Sequence, residues 1–366
     1  MTDIEVTTLT DACHSMLLRL AGRVPDGLLA QSRAWLAALE PERMAGAVAS
    51  HAAASRLTLA AEDAGLLGWI LTGAGMDAAV VARVPVQTGT DPAEGIVAHA
   101  FTPATPEVMA TRGDEFGPCL DFTEASLAEV PVDLADDLDR AAVAAAADLP
   151  GAAALWRTWR APSDGSPWPP PRRVFLLALN PRAEPFQAAA ALQQALAAHG
   201  EPDPQVEAFA LEEDLPAYQR SARARSALLW TPVRPEPVHL APVYDGVTAD
   251  GTPLFDLDRP RLTAPDREPI AAALDGGSVL MSTTARLDDV LDPADGRGRV
   301  PAGFRTDGSW VWSDAVAYYL RAHGVAPVAG LLSHLDRRRT EPPASPDAVA
   351  LFRATAALTR PPDRSQ

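Results

Sequence analysis

Apolar runs and amphipathic stretches alternate along the chain, and this pattern predicts an α/β protein that begins with helices. Apolar residues recur at helical spacing in the N-terminal region, which predicts three helices over 12–20, 26–39 and 41–59. Compact apolar runs bounded by Gly, Pro, Thr or Asp follow, and predict strands at 66–71, 79–86 and 96–101. The alanine-rich segment 134–159 has high helix propensity and predicts another helix.

The second half of the chain opens with a β-α-β pattern. The apolar run 172–180, the helical segment 185–199 and the alternating run 205–209 predict two parallel strands with a right-handed crossover. Further strands are predicted at 226–230, 237–244 and 278–282, with a helix over 265–274. This part is therefore predicted to contain a mixed sheet.

The segment 161–173 has the composition of a linker, since it is rich in Pro, Ser and Gly. We expect it to separate two domains. The first, 1–160, is predicted to be a helix-led α+β domain. The second, 174–360, is predicted to be an α/β domain that ends in a hairpin-helix module, and 361–366 is expected to be a frayed tail.

Charge narrows the classes of function. The 366-residue chain has a formal net charge of -17, which disfavours binding to nucleic acid or to anionic membranes and favours a basic protein partner. The chain contains 31 arginines and no lysine. Schiff-base chemistry, a lysine general base and a phosphate-loop lysine are therefore excluded.

No cofactor or metal is expected from the motifs. Cys13 and Cys119 are far apart and form neither a disulfide framework nor a zinc site. The acidic segment 288–295 lacks the alternating oxygen ligands of a calcium loop and predicts capped turns. The N-terminus shows no signal-peptide pattern and no apolar run reaches the length of a membrane span, so a cytoplasmic protein is expected.

The densest local signal lies at 303–324. Asp307-Gly308 between two β-prone runs predicts a two-residue hairpin turn with both residues at positive φ. Ser313 or Asp314 can cap the following helix, which Gly324 ends. An aromatic core is the favoured interpretation of this segment. The alternative is a binding cleft or protein-contact patch, formed by Arg305, Asp307, Trp310, Trp312, Tyr318 and Tyr319.

Two arginines form a second candidate binding site. On a helix, Arg220 and Arg223 share a face that could bind a phosphate, a carboxylate or an acidic partner. The favoured alternative is a solvated face that pairs with the acidic residues 212–214. His323 and His334 lie in the last helices with Asp336 nearby, but no nucleophile motif accompanies them, so no catalytic residue is assigned.

The segment 304–320, FRTDGSWVWSDAVAYYL, with His323-Gly324 after it, resembles a module of an uncharacterised family of actinobacterial proteins. The segments 203–206 and 215–220 show the same resemblance. Such modules accompany toxin-type or immunity-type multidomain proteins. The resemblance implies an accessory or interaction role and transfers no catalytic residue to this chain.

Two hypotheses of function follow. The favoured one is a non-enzymatic interaction or accessory protein, with an immunity-like role in a bacterial conflict system as one form. The alternative is an enzyme for a small phosphorylated or nucleotide-like substrate, bound by arginine and aspartate with a tryptophan stacked on a base. Burial of the tryptophans and internal pairing of Arg305 would argue against the enzyme.

Overall fold

The computed structural model describes residues 3–87, 98–166, 168–338 and 345–362. Their contacts divide the chain into two compact units, Met1–Pro235 and Glu236–Gln366. Helices and mixed sheets occur together, so the predicted α/β class is confirmed. Among the helices of the described residues, none is both long and apolar enough to cross a membrane.

The first unit begins with four helices, as its alanine-rich periodicity requires. Its helices are α1 Asp3–Leu20, α2 Asp26–Ala37, α3 Pro41–Ser55, α4 Ala61–Gly73, α5 Pro106–Arg112, α6 Asp137–Ala147, α7 Pro185–Ala198 and α8 Ala217–Ala224. Its strands are β1 Leu59–Ala60, β2 Val86–Gln87, β3 His99–Thr102, β4 Leu120–Asp121, β5 Ala152–Pro162, β6 Arg172–Leu179, β7 Gln205–Ala210 and β8 Ala227–Trp230.

One mixed sheet organises the first unit, in the order β4-β8-β5-β6-β7, with β3 also paired to β5. The predicted β-α-β unit is confirmed, because β6 and β7 run parallel and α7 connects them. Helices α6 and α7 cover one face of the sheet, where Ala142, Ala189 and Leu192 of the helices pack against Leu155 and Leu177 of the strands.

The predicted domain boundary at 161–173 is wrong. Strands β5 and β6 are antiparallel neighbours, paired from Ala152 with Leu179 to Arg160 with Arg172. The proline-rich segment is therefore the connection of a hairpin inside one sheet. Its prolines and glycine interrupt strand pairing over a short loop, which gives the same composition as a linker between domains. The boundary lies at residue 235 instead.

Three predicted elements of the first unit have another structure. The run 66–71 lies within helix α4, and 79–86 forms a 3-10 helix over Ala78–Arg83 before the short β2. The predicted helix over 134–159 ends at Ala147, and the rest becomes β5. Of the predicted strand 96–101, residues 96 and 97 lie outside the described residues, and so do 363–366 of the predicted tail.

The second unit contains a smaller sheet, in the order β12-β15-β16-β9. The strands of the second unit are β9 His239–Ala241, β10 Gly246–Val247, β11 Pro253–Leu254, β12 Ser278–Met281, β13 Arg286–Leu287, β14 Val300–Pro301, β15 Phe304–Thr306 and β16 Trp310–Ser313. Its helices are α9 Ala264–Asp275, α10 Asp314–His323, α11 Ala329–Arg338 and α12 Ala348–Thr359. Apolar residues of α9, α10 and α11 pack around Trp312 to form its core.

Candidate functional site

The hairpin-helix module forms as the sequence predicts, but its turn differs. Strands β15 and β16 pair antiparallel, and Thr306 pairs with Val311, so four residues lie between the last paired positions. Gly308 has a φ of 95°, while Asp307 is not among the residues with positive φ. Instead, Asp307 Oδ1 accepts hydrogen bonds from the backbone N–H groups of Ser309 and Trp310. The side chain of Asp307 thus stabilises the turn without a strained backbone.

Helix α10 follows the hairpin directly. The hydroxyl of Ser313 accepts a hydrogen bond from the N–H of Ala315 and caps the helix. Gly324 ends it in the left-handed region, with a φ of 74°. Both ends agree with the sequence prediction. The cap fixes where α10 leaves the sheet, and therefore fixes Tyr318 and Tyr319.

Arg305 is held by contacts within its own unit. Its Nε donates to Asp314 Oδ1 at 2.7 Å, and its Nη1 donates to the carbonyls of Asp275 and Gly277 at 2.8 and 3.1 Å. These bonds connect β15 to the first turn of α10 and to the end of α9. The structure therefore places Arg305 in a tertiary contact and not at the rim of an open cleft.

The two tryptophans have different surroundings. Trp312 is 1% exposed, and its Nε1 donates to the carbonyl of Leu274 at 3.1 Å. Trp310 is half-buried and lies against the His239 ring, with 4.9 Å between the ring centroids. A Cβ atom at Gly330 would lie 2.8 Å from the Trp310 ring, so this glycine allows α11 to approach. Trp312 is a core residue, and only Trp310 reaches the surface.

The two tyrosines hold the acidic segment 288–298. Tyr318 donates its hydroxyl to Asp289 Oδ2 at 2.9 Å, and His323 Nε2 lies 2.6 Å from the same oxygen. The buried Tyr319 hydroxyl accepts from the N–H of Val290 at 3.3 Å. Burial opposes ionisation of Asp289, but the hydrogen bonds from His323, the Leu291 N–H and Tyr318 outweigh it and lower its pKa. The capped turns predicted here are present, as Asp289, Asp292 and Asp288 each accept a nearby backbone N–H.

Arg220 and Arg223 lie on α8, which belongs to the first unit, whereas the other candidates belong to the second. Arg220 is exposed, donates to the carbonyl of Leu215 and lies 3.9 Å from Asp214. Arg223 is half-buried, and burial lowers its pKa. The pairing of Arg220 with the acidic segment agrees with the solvated-face interpretation.

A cleft of about 390 Å³ lies beside the β15–β16 turn. Asp307 Oδ2 lies 2.5 Å from His334 Nε2, and it accepts a hydrogen bond from Arg338 Nη1 at 2.9 Å. Burial opposes the ionisation of Asp307, but the interaction with His334 and the hydrogen bonds from the Trp310 and Ser309 N–H groups outweigh it and lower its pKa. Ser309, Arg337 and Ser345 also line the cleft. We call this cavity, lined by Asp307, Ser309, His334, Arg337, Arg338 and Ser345, the turn cleft.

Sequence reasoning named Asp307 and His334 separately but missed their pairing, since it placed His334 near Asp336. One signal was available. His334 and Arg338 are four residues apart on α11, so both project from the same face of the helix. Such a pair commonly binds one carboxylate. The sequence could not show that this carboxylate would come from a turn 27 residues earlier.

The first unit also contains buried charges that sequence reasoning did not identify. Arg33 Nη2 donates to Glu207 Oε1 at 2.7 Å, and both side chains are 1% exposed. Gln219 Nε2 donates to Glu207 Oε2 at 2.9 Å, and His14 Nε2 lies 2.8 Å from the carbonyl of Ala208. Burial lowers the pKa of His14 to about 4, so its ring is neutral at pH 7. This cluster is enclosed in the core, which favours a structural role.

Within the described ranges, no group of three or more His, Cys, Asp or Glu side chains is arranged to hold a metal ion. Cys13 and Cys119 are both buried, and burial raises the pKa of Cys13 to about 12. The Cys13 thiol therefore offers little thiolate for chemistry at neutral pH.

The fold and the site define a two-unit α/β protein with a carboxylate–histidine–arginine cluster at a hairpin turn. No family model, curated protein or solved structure matches this chain.

Proposed function

We propose that this chain is a non-enzymatic interaction or accessory protein, and that its second unit binds an extended segment of a basic partner protein along β12. An immunity-like role in a bacterial conflict system is one form of this proposal, which the resemblance of segment 304–324 supports. The observation that carries the proposal is the open, uncharged edge of β12.

Strand β12 is the last strand of its sheet. It pairs with β15 on one side, and among the described residues no strand pairs with its other side. Val279 is 56% exposed and Met281 is 45% exposed. The ten residues 276–285 contain no charged side chain and no proline. An irregular register between Val279 and Met281 twists the strand but leaves both side chains exposed.

Exposed edges of this kind are normally protected. Natural sheets place charged side chains or proline on edge strands, because unpaired N–H and C=O groups otherwise recruit another strand. An extended peptide added to such an edge gains main-chain hydrogen bonds, while apolar side chains supply specificity. The missing charges at 276–285 are therefore a reason to expect a partner strand.

The net charge of -17 favours a basic partner over a second copy of the chain. Two copies carry the same charge and repel each other, whereas an arginine- or lysine-rich protein is attracted and associates faster. The low cysteine content, two in 366 residues, is compatible with a cytoplasmic location, which we include in the proposal.

The internal contacts of the module weigh against the alternative enzyme. Arg305 is bonded to Asp314 and to two backbone carbonyls, and Trp312 is enclosed in the core. Neither side chain lines the turn cleft. Arg305 and Trp312 are thus used for packing, and of the two tryptophans considered for stacking on a base only Trp310 reaches the surface.

Site-specific photo-crosslinking in the native host tests the proposal. A crosslinking side chain at position 279 should yield one discrete protein adduct, which mass spectrometry identifies. The same group at Val233, which is 76% exposed and belongs to the other unit, should not yield it. The identified protein is then purified and its affinity for this chain is measured directly.

Two matched variants complete the test. Val279→Arg places a charge on the edge strand and should weaken binding of the purified basic partner by about tenfold or more, which corresponds to about 1.4 kcal/mol. Val233→Arg makes the same change at an exposed valine outside β12 and should bind like the wild type. Equal binding by Val279→Arg, or no adduct from position 279, would show the proposal to be wrong.

A further inference from the structure

Arg223 is a half-buried cation for which the fold supplies no counter-ion. It lies in the last turn of α8, and among the described residues its guanidinium forms no hydrogen bond or ion pair. Burial lowers the pKa of Arg223, and no carboxylate of the described residues opposes this shift. A guanidinium that loses water keeps its charge, so its five N–H donors need other acceptors.

The other arginines of the first unit show the usual arrangement. Across the part of this unit that the structure describes, every other buried or half-buried arginine forms an ion pair with a carboxylate. These arginines are Arg19, Arg33, Arg112, Arg140, Arg157, Arg160, Arg172 and Arg173. Arg223 departs from this arrangement, so its acceptors lie outside the chain, in water or in a ligand.

A second arginine lies beside Arg223 on the same helix. Arg220 is three residues earlier, a spacing that brings two side chains together on a helix surface. Arg220 donates through Nη1 to the carbonyl of Leu215, and the same nitrogen lies 3.9 Å from Asp214. The Asp214 side chain is fully exposed, so this ion pair compensates little of the charge. Two guanidinium groups at this spacing repel each other, and an anion bound to both removes the repulsion.

These donors are suited to a small dianion. Guanidinium groups bind oxyanions through parallel N–H bonds, and a phosphoryl group offers three acceptor oxygens with close to two negative charges. An acidic macromolecule is disfavoured, because the net charge of -17 repels it over its whole surface. A small anion responds mainly to charges within about 10 Å, which is the screening length at 0.1 M salt.

We propose that Arg223, together with Arg220, binds the phosphoryl group of a small molecule at the C-terminal end of α8. The phosphoryl oxygens replace the acceptors that the fold does not give to Arg223. The site lies in the first unit, shares no residue with the β12 edge and involves no covalent step. Loss of phosphate binding and loss of partner binding are therefore separate results.

Titration of the full-length protein with inorganic phosphate at constant ionic strength tests the site, with calorimetry as the readout. The wild type should show saturable binding. Arg223→Gln should weaken it by about tenfold or more, which corresponds to about 1.4 kcal/mol. This variant is expected to fold, because it removes a half-buried charge that has no partner. Arg83→Gln removes the same charge from an exposed arginine of the first unit and should bind like the wild type.

Hydrogen exchange measured by mass spectrometry locates the site. Phosphate should slow exchange in peptides that cover α8 in the wild type, but not in Arg223→Gln. Titrations with acetate and chloride show whether the site prefers a phosphoryl group. The proposal is overturned if the wild type shows no saturable phosphate binding, if acetate or chloride binds as tightly, or if folded Arg223→Gln binds as well as Arg83→Gln.

Discussion

The buried pair of Arg33 and Glu207 gives a quantitative prediction for the stability of the first unit. Both side chains are 1% exposed, and their charged atoms are 2.7 Å apart. Glu207→Gln leaves the Arg33 cation without its counter-ion, and Arg33→Met leaves the Glu207 carboxylate with only Gln219. Removing one member of such a pair costs about 3–5 kcal/mol, because an uncompensated charge remains in the core.

The double variant Arg33→Met/Glu207→Gln removes both charges, so no unpaired ion remains. It should be destabilised by about 1–3 kcal/mol, mainly through lost hydrogen bonds. The coupling between the two sites should therefore be about 3 kcal/mol or more. This comparison separates the need to pair a buried charge from the net contribution of the pair.

Hydrogen exchange measured by mass spectrometry on peptides that cover β6 and β7 is the appropriate assay. It reports the opening free energy of this unit, even if the second unit unfolds separately. Arg43→Met is the matched control, since Arg43 pairs with Glu40 at the surface and should change stability by less than about 0.5 kcal/mol. Strict additivity of the two single substitutions would refute the reasoning.

Three further predictions concern other parts of the chain. Asp136 caps α6 and binds Arg173, and although burial opposes its ionisation, these bonds lower its pKa to about 2. Because the pKa of Asp136 is depressed in the folded state, its contribution to stability is complete above the unfolded pKa of about 4 and is lost as pH falls towards 2. The side chain is 40% exposed, so we expect this contribution to be about 1 kcal/mol. Measurement of stability against acid pH should show the loss in the wild type but not in Asp136→Asn. Gly277→Ala would place a Cβ 2.4 Å from the Trp312 ring and should cost about 1–3 kcal/mol in urea unfolding, whereas Gly73→Ala meets no atom within 4 Å and should be neutral or slightly stabilising. In the first unit, four buried polar atoms of the Arg33–Glu207 cluster have no hydrogen-bond partner in the protein: the donors Arg33 Nε and Nη1, and the acceptors His14 Nδ1 and Gln219 Oε1. A high-resolution crystal structure should therefore show ordered water at this cluster. A cluster without ordered water would contradict this prediction.

Local signals in the sequence were sufficient to predict an element correctly where neighbouring residues determine its structure. The run 172–180, the helix ending near Gly200 and the alternating run 205–209 gave β6, α7 and β7 with the correct parallel pairing. The cap at Ser313 and the left-handed Gly324 were also predicted, because each depends on a few neighbouring residues.

The errors arose where distant parts of the chain decide the structure. Residues 152–159 continue an alanine-rich segment, but they form β5, which pairs with β6, β8 and β3. Those pairings outweigh a helix propensity that differs by only tenths of a kcal/mol per residue. Pro150-Gly151 marks the change, and Gly151 adopts a φ of 78°.

The candidate site shows the same limit. Sequence alone identified Asp307 and the hairpin turn, since the Asp-Gly pair is a strong local signal. It could not show that Arg305 would bond to Asp314 or that Trp312 would be enclosed, because both results depend on how α9 and α10 pack. The pairing of Asp307 with His334 likewise required the tertiary fold.

The hairpin formed by β5 and β6 determines where this gene could be divided. A break within 161–173 would assign two neighbouring strands to different polypeptides, and each product would expose half of a central sheet. A break after Pro235 keeps every β-strand pair of the described residues within one product. Recombination that exchanges one unit between proteins is therefore expected to be tolerated near residue 235, while the proline-rich loop is better suited to accept inserted sequence.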